Sequence, residues 1–352
     1  MTLEVEGKRI GRGEKCFLIA ELSANHDRDL DQALALVDAA ADAGWDSIKL
    51  QTYTADSLTI DSRHPSMVID PIWGHDNLYE LYAAAAMPME FHAPLFERAR
   101  ARGLVPFTSI YDPRDLEVVE TLDCPIYKIA SFEMTYDDLL VEIARTGKPV
   151  IMSTGMADLP EVDHAMGVLH RHDAGPVILL HCVSAYPAPL AEANLGAIET
   201  LRARYGEMVG YSDHTMGTQA ALIAAAMGAV AIEKHITNDP MRQGPDHRFS
   251  ATPDILLDIS KAVAEVALAR GGGAKATSAV EADNKVVGRR SAFALRDLPT
   301  GHLVAREDFR FVRPGVGIPP NDAGALVGQR LARDVPKGHP ITYDAISRRG
   351  MT

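Results

Sequence analysis

GYSDHTMGTQAALIAAAMGAVAIEKHIT, residues 210–237, sets two short apolar runs around a longer one. The short runs carry polar groups at their ends: Ser212, Asp213 and His214 on the first, Glu233, Lys234 and His235 on the second. The segment between them, Thr218 to Met227, is helix-like and stops at Gly228. This reads as strand, helix, strand. Parallel strands joined by a crossover helix put their carboxyl ends side by side on one face. His214 and His235 then meet despite their separation in sequence. Two imidazoles beside carboxylates suit a divalent metal. The plain alternative is two histidines satisfied by backbone bonds. The metal reading gains weight because the earlier strands end in the same way.

Working back toward the N-terminus, Phe17-Leu-Ile-Ala20 is a continuous apolar run ending at Glu21. Leu30, Ala33, Leu34, Val37, Ala40 and Ala41 have helical spacing. Ser47 to Thr52 is the next strand, with Lys49 and Gln51 on one face and Ile48 and Leu50 on the other. An excursion from Tyr53 to Met89 follows, with Pro65, Pro71, Trp73-Gly74 and a short helix over 78–86. So long an insertion in a compact domain covers a site or makes a contact. Helices are then predicted over 94–102, 113–122, 136–146, 159–170, 195–205 and 253–269, with strands over 104–109, 126–131, 149–154 and 177–182.

Eight strand-then-helix units fill the first 270 residues, the rhythm of a (β/α)8 TIM barrel. A doubly wound open sheet is the alternative, but no Gly-rich dinucleotide fingerprint follows the first strand. In a barrel, groups at the carboxyl ends of the strands form the active site. Here they are Glu21, Lys49, Gln51, Ser109, Lys128, Ser131, Ser153, Tyr186, Ser212, His214, Glu233 and His235. Lysines among serine hydroxyls suit a small phosphate or carboxylate.

With 35 basic and 48 acidic residues the net charge is −13, which argues against a nucleic-acid partner. The 3 cysteines, Cys16, Cys124 and Cys182, show no CxxC spacing and no disulfide framework. The opening MTLEVEGKRIGRGEKC has no apolar signal core, and no run is long enough to span a membrane. A cytoplasmic protein is the expectation. Residues 271–284 form a composition break read as a linker. Residues 285–352 form a small second domain, with β-like runs at 292–295 and 302–304 and a rigid loop around Pro314. Its role is either oligomerisation or presentation of Arg313 to an active site.

The motifs IAELSANH (19–26), KLQTYTAD (49–56), YKIASFE (127–133), STGMA (153–157), SAYPAP (184–189), YSDHT (211–215), IEKH (232–235), GPDH (244–247) and VRPGVGI (312–318) resemble the sialic acid synthase family. The resemblance covers nearly the whole chain. Its C-terminal part is similar to that family's antifreeze-like (SAF) domain. ELSANH, LYELY (78–82) and SAYPAP look most like the pseudaminic acid synthase branch.

The resemblance implies condensation of phosphoenolpyruvate with the open-chain aldehyde of an N-acetylated amino sugar. The products are a nine-carbon 2-keto acid and phosphate. An N-acetylneuraminate or legionaminate synthase is the alternative within the family; a non-catalytic sugar-binding protein is the alternative outside it. Carried over, Lys49, Ser109, Lys128, Ser131, Ser153 and Ser212 hold phosphoenolpyruvate. His214 and His235 hold a divalent metal, Mn²⁺ in the family, with Mg²⁺ or Co²⁺ as alternatives. Glu21, Gln51, Tyr186 and Asp246 contact the sugar or move a proton. Glu233 joins Glu21 and the histidines in the catalytic group, or orients its neighbours. Arg313 reaches the sugar from the other subunit of a homodimer with swapped C-terminal domains. Three places depart from the family pattern: Asp27-Arg28 for Asn-Gly, Thr108-Ser109-Ile110 for Ser-Thr-Pro, and His247-Arg248 for smaller residues.

Overall fold

The computed structural model describes residues 2–69 and 74–347; Pro71 and Trp73 lie outside the described residues. The chain divides into two compact units that meet at Gly271 and Gly272.

The first unit opens with an antiparallel hairpin, β1 (Thr2–Val5) and β2 (Lys8–Gly11), absent from the sequence-based assignment. Leu3, Val5 and Ile10 alternate with polar residues and bury their side chains in the main core. Eight strands then close into a barrel: β3 (Phe17–Glu21), β4 (Ser47–Thr52), β5 (Val105–Ile110), β6 (Tyr127–Ile129), β7 (Val150–Ser153), β8 (Val177–Cys182), β9 (Val209–Asp213) and β10 (Ala231–His235). They are parallel and in sequence order, with β10 closing on β3. The TIM-barrel expectation holds. The apolar runs are continuous because each strand is covered on the inside by facing strands and on the outside by helices.

Helices run between the strands. α1 (Leu30–Asp42) is capped by the Asp29 carboxylate, which accepts from the backbone N–H of Asp31 and Gln32. It buries Ala33, Val37 and Ala40 of the spaced set, and Leu36 beside them, while Leu30, Leu34 and Ala41 are only partly buried against the core. Truncating fully buried Leu36 to alanine costs about 2–5 kcal/mol. The 53–89 excursion holds α2 (Ala55–Leu58) and α3 (Leu78–Ala85). Then come α4 (His92–Ala101), α5 (Pro113–Glu120), α6 (Asp137–Arg145), α7 (Leu159–Arg171), α8 (Ala197–Tyr205), α9 (Gln219–Ala226) and α10 (Pro253–Arg270). α10 packs against α9 and α1, completing the outer ring.

β6 is shorter than the predicted 126–131. After Ile129 the chain turns into a single 3-10 turn, Ser131–Glu133, which carries Ser131 and Glu133 to the barrel mouth.

The second unit begins with exposed chain and α11 (Ala282–Gly288). β11 (Ser291–Ala294) pairs antiparallel with β12 (Phe309–Val312). Its own core contains Ala292, Leu298, Val304, Phe309, Ile318 and Leu331. The β-like run at 302–304 forms no strand. Leu303 makes an isolated bridge to Arg330 instead, because the chain turns at Gly301 before a ladder can extend.

Candidate active site

One cavity of ≈ 260 Å³ opens at the carboxyl ends of the barrel strands. Lys49, Gln51, Lys128, Ser131, Ser153, Tyr186, Ser212, His214, Glu233, His235 and Asp246 all line it, as the barrel register requires. Glu21 and Ser109 do not line it. They are fully buried beneath it and hold the residues that do. Arg313 is exposed on the second unit.

Strand register builds the floor. Glu21 pairs with Lys49 on one side and with His235 on the other, and Ser212 pairs with Glu233. The Lys49 ammonium is ion-paired to Glu21, lies 3.3 Å from Glu233 Oε1, and donates to Ser109 Oγ at 3.0 Å. Burial opposes its charge, but Glu21 and Glu233 hold it above the ordinary lysine value. Lys128 is placed differently. It donates to Ser153 Oγ at 2.8 Å, while its nearest carboxylate oxygen, Glu233 Oε2, is 3.8 Å away. Burial and the neighbouring Lys49 pull its pKa down. Of the two cations, Lys128 is the less compensated and the more in need of an anion.

The carboxylates divide the same way. Burial, reinforced by Glu233, pushes Glu21 up to about 7 against the pull of Lys49. Burial works against Glu233 too, yet Lys128 and Lys49 keep it below the usual carboxylate range. Two neighbouring carboxylates, Glu233 lining the pocket and biased against its proton, Glu21 beneath it and biased toward its proton, can give and take a proton near neutrality. Glu21 is also anchored by Gln51 Nε2 at 2.9 Å and by the Ser23 N–H at 2.9 Å.

Above the floor sit the histidines. The His214 and His235 ring centroids are 5.3 Å apart, and Tyr186 lies 4.4 Å from His214. His214 Nδ1 is 2.9 Å from the Val183 carbonyl, which only accepts, so that nitrogen carries the proton and Nε2 is left as a donor to metal. Cys182 Sγ lies 3.8 Å from the same Nδ1. His235 is held well below the ordinary imidazole value, first by burial and then by surrounding cations. Its buried Nδ1 has no hydrogen-bond partner among the described residues. An orphaned, neutral imidazole nitrogen beside a second imidazole fits a divalent ion of the Mn²⁺ to Zn²⁺ type. Among the described residues no group of three or more His, Cys, Asp or Glu is arranged to hold one. A metal there would have these two imidazoles from the described residues and would need its further ligands from water or substrate.

The Ser153-Thr154-Gly155 turn adds a cradle. A Cβ at Gly155 would fall 2.2 Å from Ser184 Oγ and 2.8 Å from Ser131 Oγ. Its N–H donates to Ser131 Oγ at 3.0 Å.

Several lining residues were not picked out in the sequence: Tyr53, Leu81, Tyr82, Tyr111, Phe132 and Glu133. Tyr53, Leu81 and Tyr82 come from the excursion, Tyr111 from just past the end of β5, and Phe132 and Glu133 from the turn after β6. Tyr53 falls within KLQTYTAD, Leu81 and Tyr82 within LYELY, and Phe132 and Glu133 within YKIASFE; Tyr111 falls within none of these motifs. Glu133 is pushed up to about 7 by burial, against the pull of Lys128, and its buried Oε2 has no partner among the described residues. Lys234 turns away from the cavity to Asp213 Oδ2 and the Thr215 carbonyl, both at 2.7 Å.

Residues 36–275 match the model of the NeuB family, and residues 289–347 match the SAF domain. The pseudaminic acid synthase of Helicobacter pylori is 36% identical over 94% of this chain and 98% of that one. The N,N'-diacetyllegionaminic acid synthase of Legionella pneumophila is 34% identical, covering 96% of both chains. The solved N-acetylneuraminic acid synthetase of Leptospira borgpetersenii superposes with a TM-score of 0.73 at 32% identity. That match covers 81% of this chain and 95% of the other.

Proposed function

The chain belongs to the NeuB family, and from that premise we propose that it is a phosphoenolpyruvate-dependent synthase of nine-carbon 2-keto sugar acids. The second substrate is an N-acetylated amino sugar in its open-chain aldehyde form, of the pseudaminic acid type. One observation carries the reading: a single cavity joins an undercompensated lysine, Lys128, among hydroxyls to a histidine pair. The first suits a phosphorylated carboxylate and the second a polarised aldehyde.

In the reaction, C3 of the enolpyruvate bonds to the aldehyde carbon, water adds at C2, and inorganic phosphate departs. Lys128, Lys49, Ser131, Ser153 and Ser212 hold the phosphate and carboxylate, with Ser109 fixing Lys49. Gln51, Tyr186 and Asp246 hold the sugar. Glu21, beneath the cavity and biased toward its proton, supplies one to the aldehyde oxygen through the Lys49 ammonium it is paired with, as that oxygen becomes a hydroxyl. Glu233, ionised, takes the proton released by the attacking water. His214 and His235 would hold the metal, which when bound supplies Lewis-acid polarisation of the aldehyde. Arg313 reaches the sugar end from a second copy of the chain.

Phosphate release from phosphoenolpyruvate with a panel of N-acylated amino sugars, with products weighed by mass spectrometry, tests this. Release with a mannosamine-type or legionaminate-type precursor alone would favour the alternatives, whose relative is nearly as similar. No release with any sugar, metal supplied, overturns the reading.

A further inference from the structure

Asp27 and Arg28 follow β3, one after the other, with φ of 49° and 55°. Both lie in the left-handed region, which glycine occupies freely and other residues occupy at a cost. Two consecutive non-glycine residues there persist only if their surroundings hold them. Both side chains are engaged, and each engagement leads to a different wall of the cavity.

Asp27 holds the loop after β10. Its Oδ1 accepts from His247 Nε2 at 2.9 Å, and its Oδ2 lies 2.9 Å from Arg242. His247 is fully buried, and its other nitrogen meets Thr237 Oγ1 at 2.7 Å. The carboxylate only accepts, so Nε2 carries the proton and Nδ1 takes the threonine hydroxyl. Gly244 packs so closely on this ring that a Cβ there would fall 2.8 Å from His247 Cδ2. The residue before His247 is Asp246, which accepts from Ser23 and lines the cavity. Two residues on is Phe249, whose ring lies 5.3 Å from Tyr186 and 5.0 Å from His235. Pinning His247 therefore places Asp246 on one side and the packing of Tyr186 on the other.

Arg28 holds the excursion. Its Nη1 donates to the carbonyls of Ala83 at 3.1 Å and Ala86 at 2.9 Å, at the carboxyl end of α3. That helix carries Leu81, Tyr82 and Ala85 into the cavity.

We propose that Asp27 and Arg28 form a two-armed clamp that positions the sugar-binding walls, Asp27 through His247 and Arg28 through α3. Neither residue touches the lysine and serine end, so the clamp acts on the second substrate alone. In this it rests on the function proposed above.

The test compares Asp27→Gly, Asp27→Asn and Arg28→Gly with the unaltered protein in the full chain. Glycine removes each arm and relieves the backbone, so folding is preserved. Asp27→Gly and Arg28→Gly are each expected to raise KM for the amino sugar about tenfold. KM for phosphoenolpyruvate and kcat should hold. Asp27→Asn keeps an acceptor for His247 and should restore most of the sugar affinity. Amide hydrogen exchange gives a reading independent of turnover. It should quicken in residues 240–250 for Asp27→Gly and in residues 78–86 for Arg28→Gly. Unchanged exchange in both segments, or equal rises in both KM values with a lower Tm, overturns the clamp. If the unaltered protein turns over no sugar, the proposed function fails and the exchange result alone decides the clamp.

Discussion

Lys128 and Glu133 stand a few residues apart in sequence and were read very differently from it. Lys128 was legible because a lysine inside an apolar strand run needs a reason. The structure supplies one in its distant carboxylate and nearby Ser153. Lys128→Met should raise KM for phosphoenolpyruvate about tenfold or more and leave KM for the sugar near its original value. Equal weakening of both would mean that the barrel had merely been disturbed. Glu133 was not legible, since a glutamate just past a strand usually faces water. Here a 3-10 turn brings it into the cavity that Tyr82 and Tyr111 also line. Its carboxyl, raised from 4.5 to about 7, keeps a proton in the folded state that the unfolded chain releases. The folded state then binds more protons across that window. Its stabilising contribution is complete below 4.5 and is lost as pH rises through 7. Glu133→Gln removes this dependence, worth about 3 kcal/mol as an upper bound. Denaturant titrations at about pH 5 and about pH 8 should show a smaller loss of stability in the variant. An identical loss in both proteins would sink the idea. The histidines give a third residue-scale test. Calorimetric titration of Mn²⁺ should show binding that His214→Ala and His235→Ala each abolish without a change in Tm, and chelation should stop turnover. Full activity in a chelated sample would exclude a catalytic metal.

At the scale of elements, the barrel strands were readable because both of their faces are covered. Such strands appear as unbroken apolar runs, and their ends show as the first polar residues. β1 and β2 escaped because four-residue alternations such as Thr2–Val5 are too short to stand out. β12 escaped because Phe309–Val312 carries an arginine and follows a turn that reads as loop. The Asp27–His247 contact escaped for another reason. Both positions drew notice separately, but no local pattern links residues 220 apart. The strand-end turns are where small changes should matter most. Gly155→Ala would drive a methyl against Ser184, Ser131 and Cys182. Those are side-chain atoms able to rotate, so the fold should lose only about 1–3 kcal/mol. Ser131, however, would leave its place at the phosphate end. The expected result is a KM for phosphoenolpyruvate raised far more than Tm is lowered. A variant with unchanged KM would show that the Ser131 hydroxyl does not bind that substrate.

Across the whole molecule, Arg313 is an exposed residue just past β12, on a loop bonded firmly to the second unit. Ser291 Oγ donates to the Pro314 carbonyl at 2.7 Å, Gly315 N–H to Val286 at 2.7 Å, and Ile318 N–H to Ile341 at 2.8 Å. Arg313 is therefore exposed on a fixed support, an arrangement suited to donating to another surface. On the barrel, the loops after β6 to β10 expose Phe132, Met156, Leu190, Met216 and Met241. Apolar side chains gathered around a polar mouth suit cover by protein. If the cover is the second unit of another copy, each active site needs two chains. Subunits carrying Arg313→Ala then keep a sound barrel and lose the arm, while subunits carrying Glu21→Ala keep the arm and lose the barrel. Neither should turn over well alone. Equal mixing with subunit exchange makes half of the dimers hybrid, each with one intact site, so activity should return to about a quarter of the unaltered level. Native mass spectrometry would confirm the exchange. Hybrids formed without any return of activity would mean that Arg313 serves its own barrel or none.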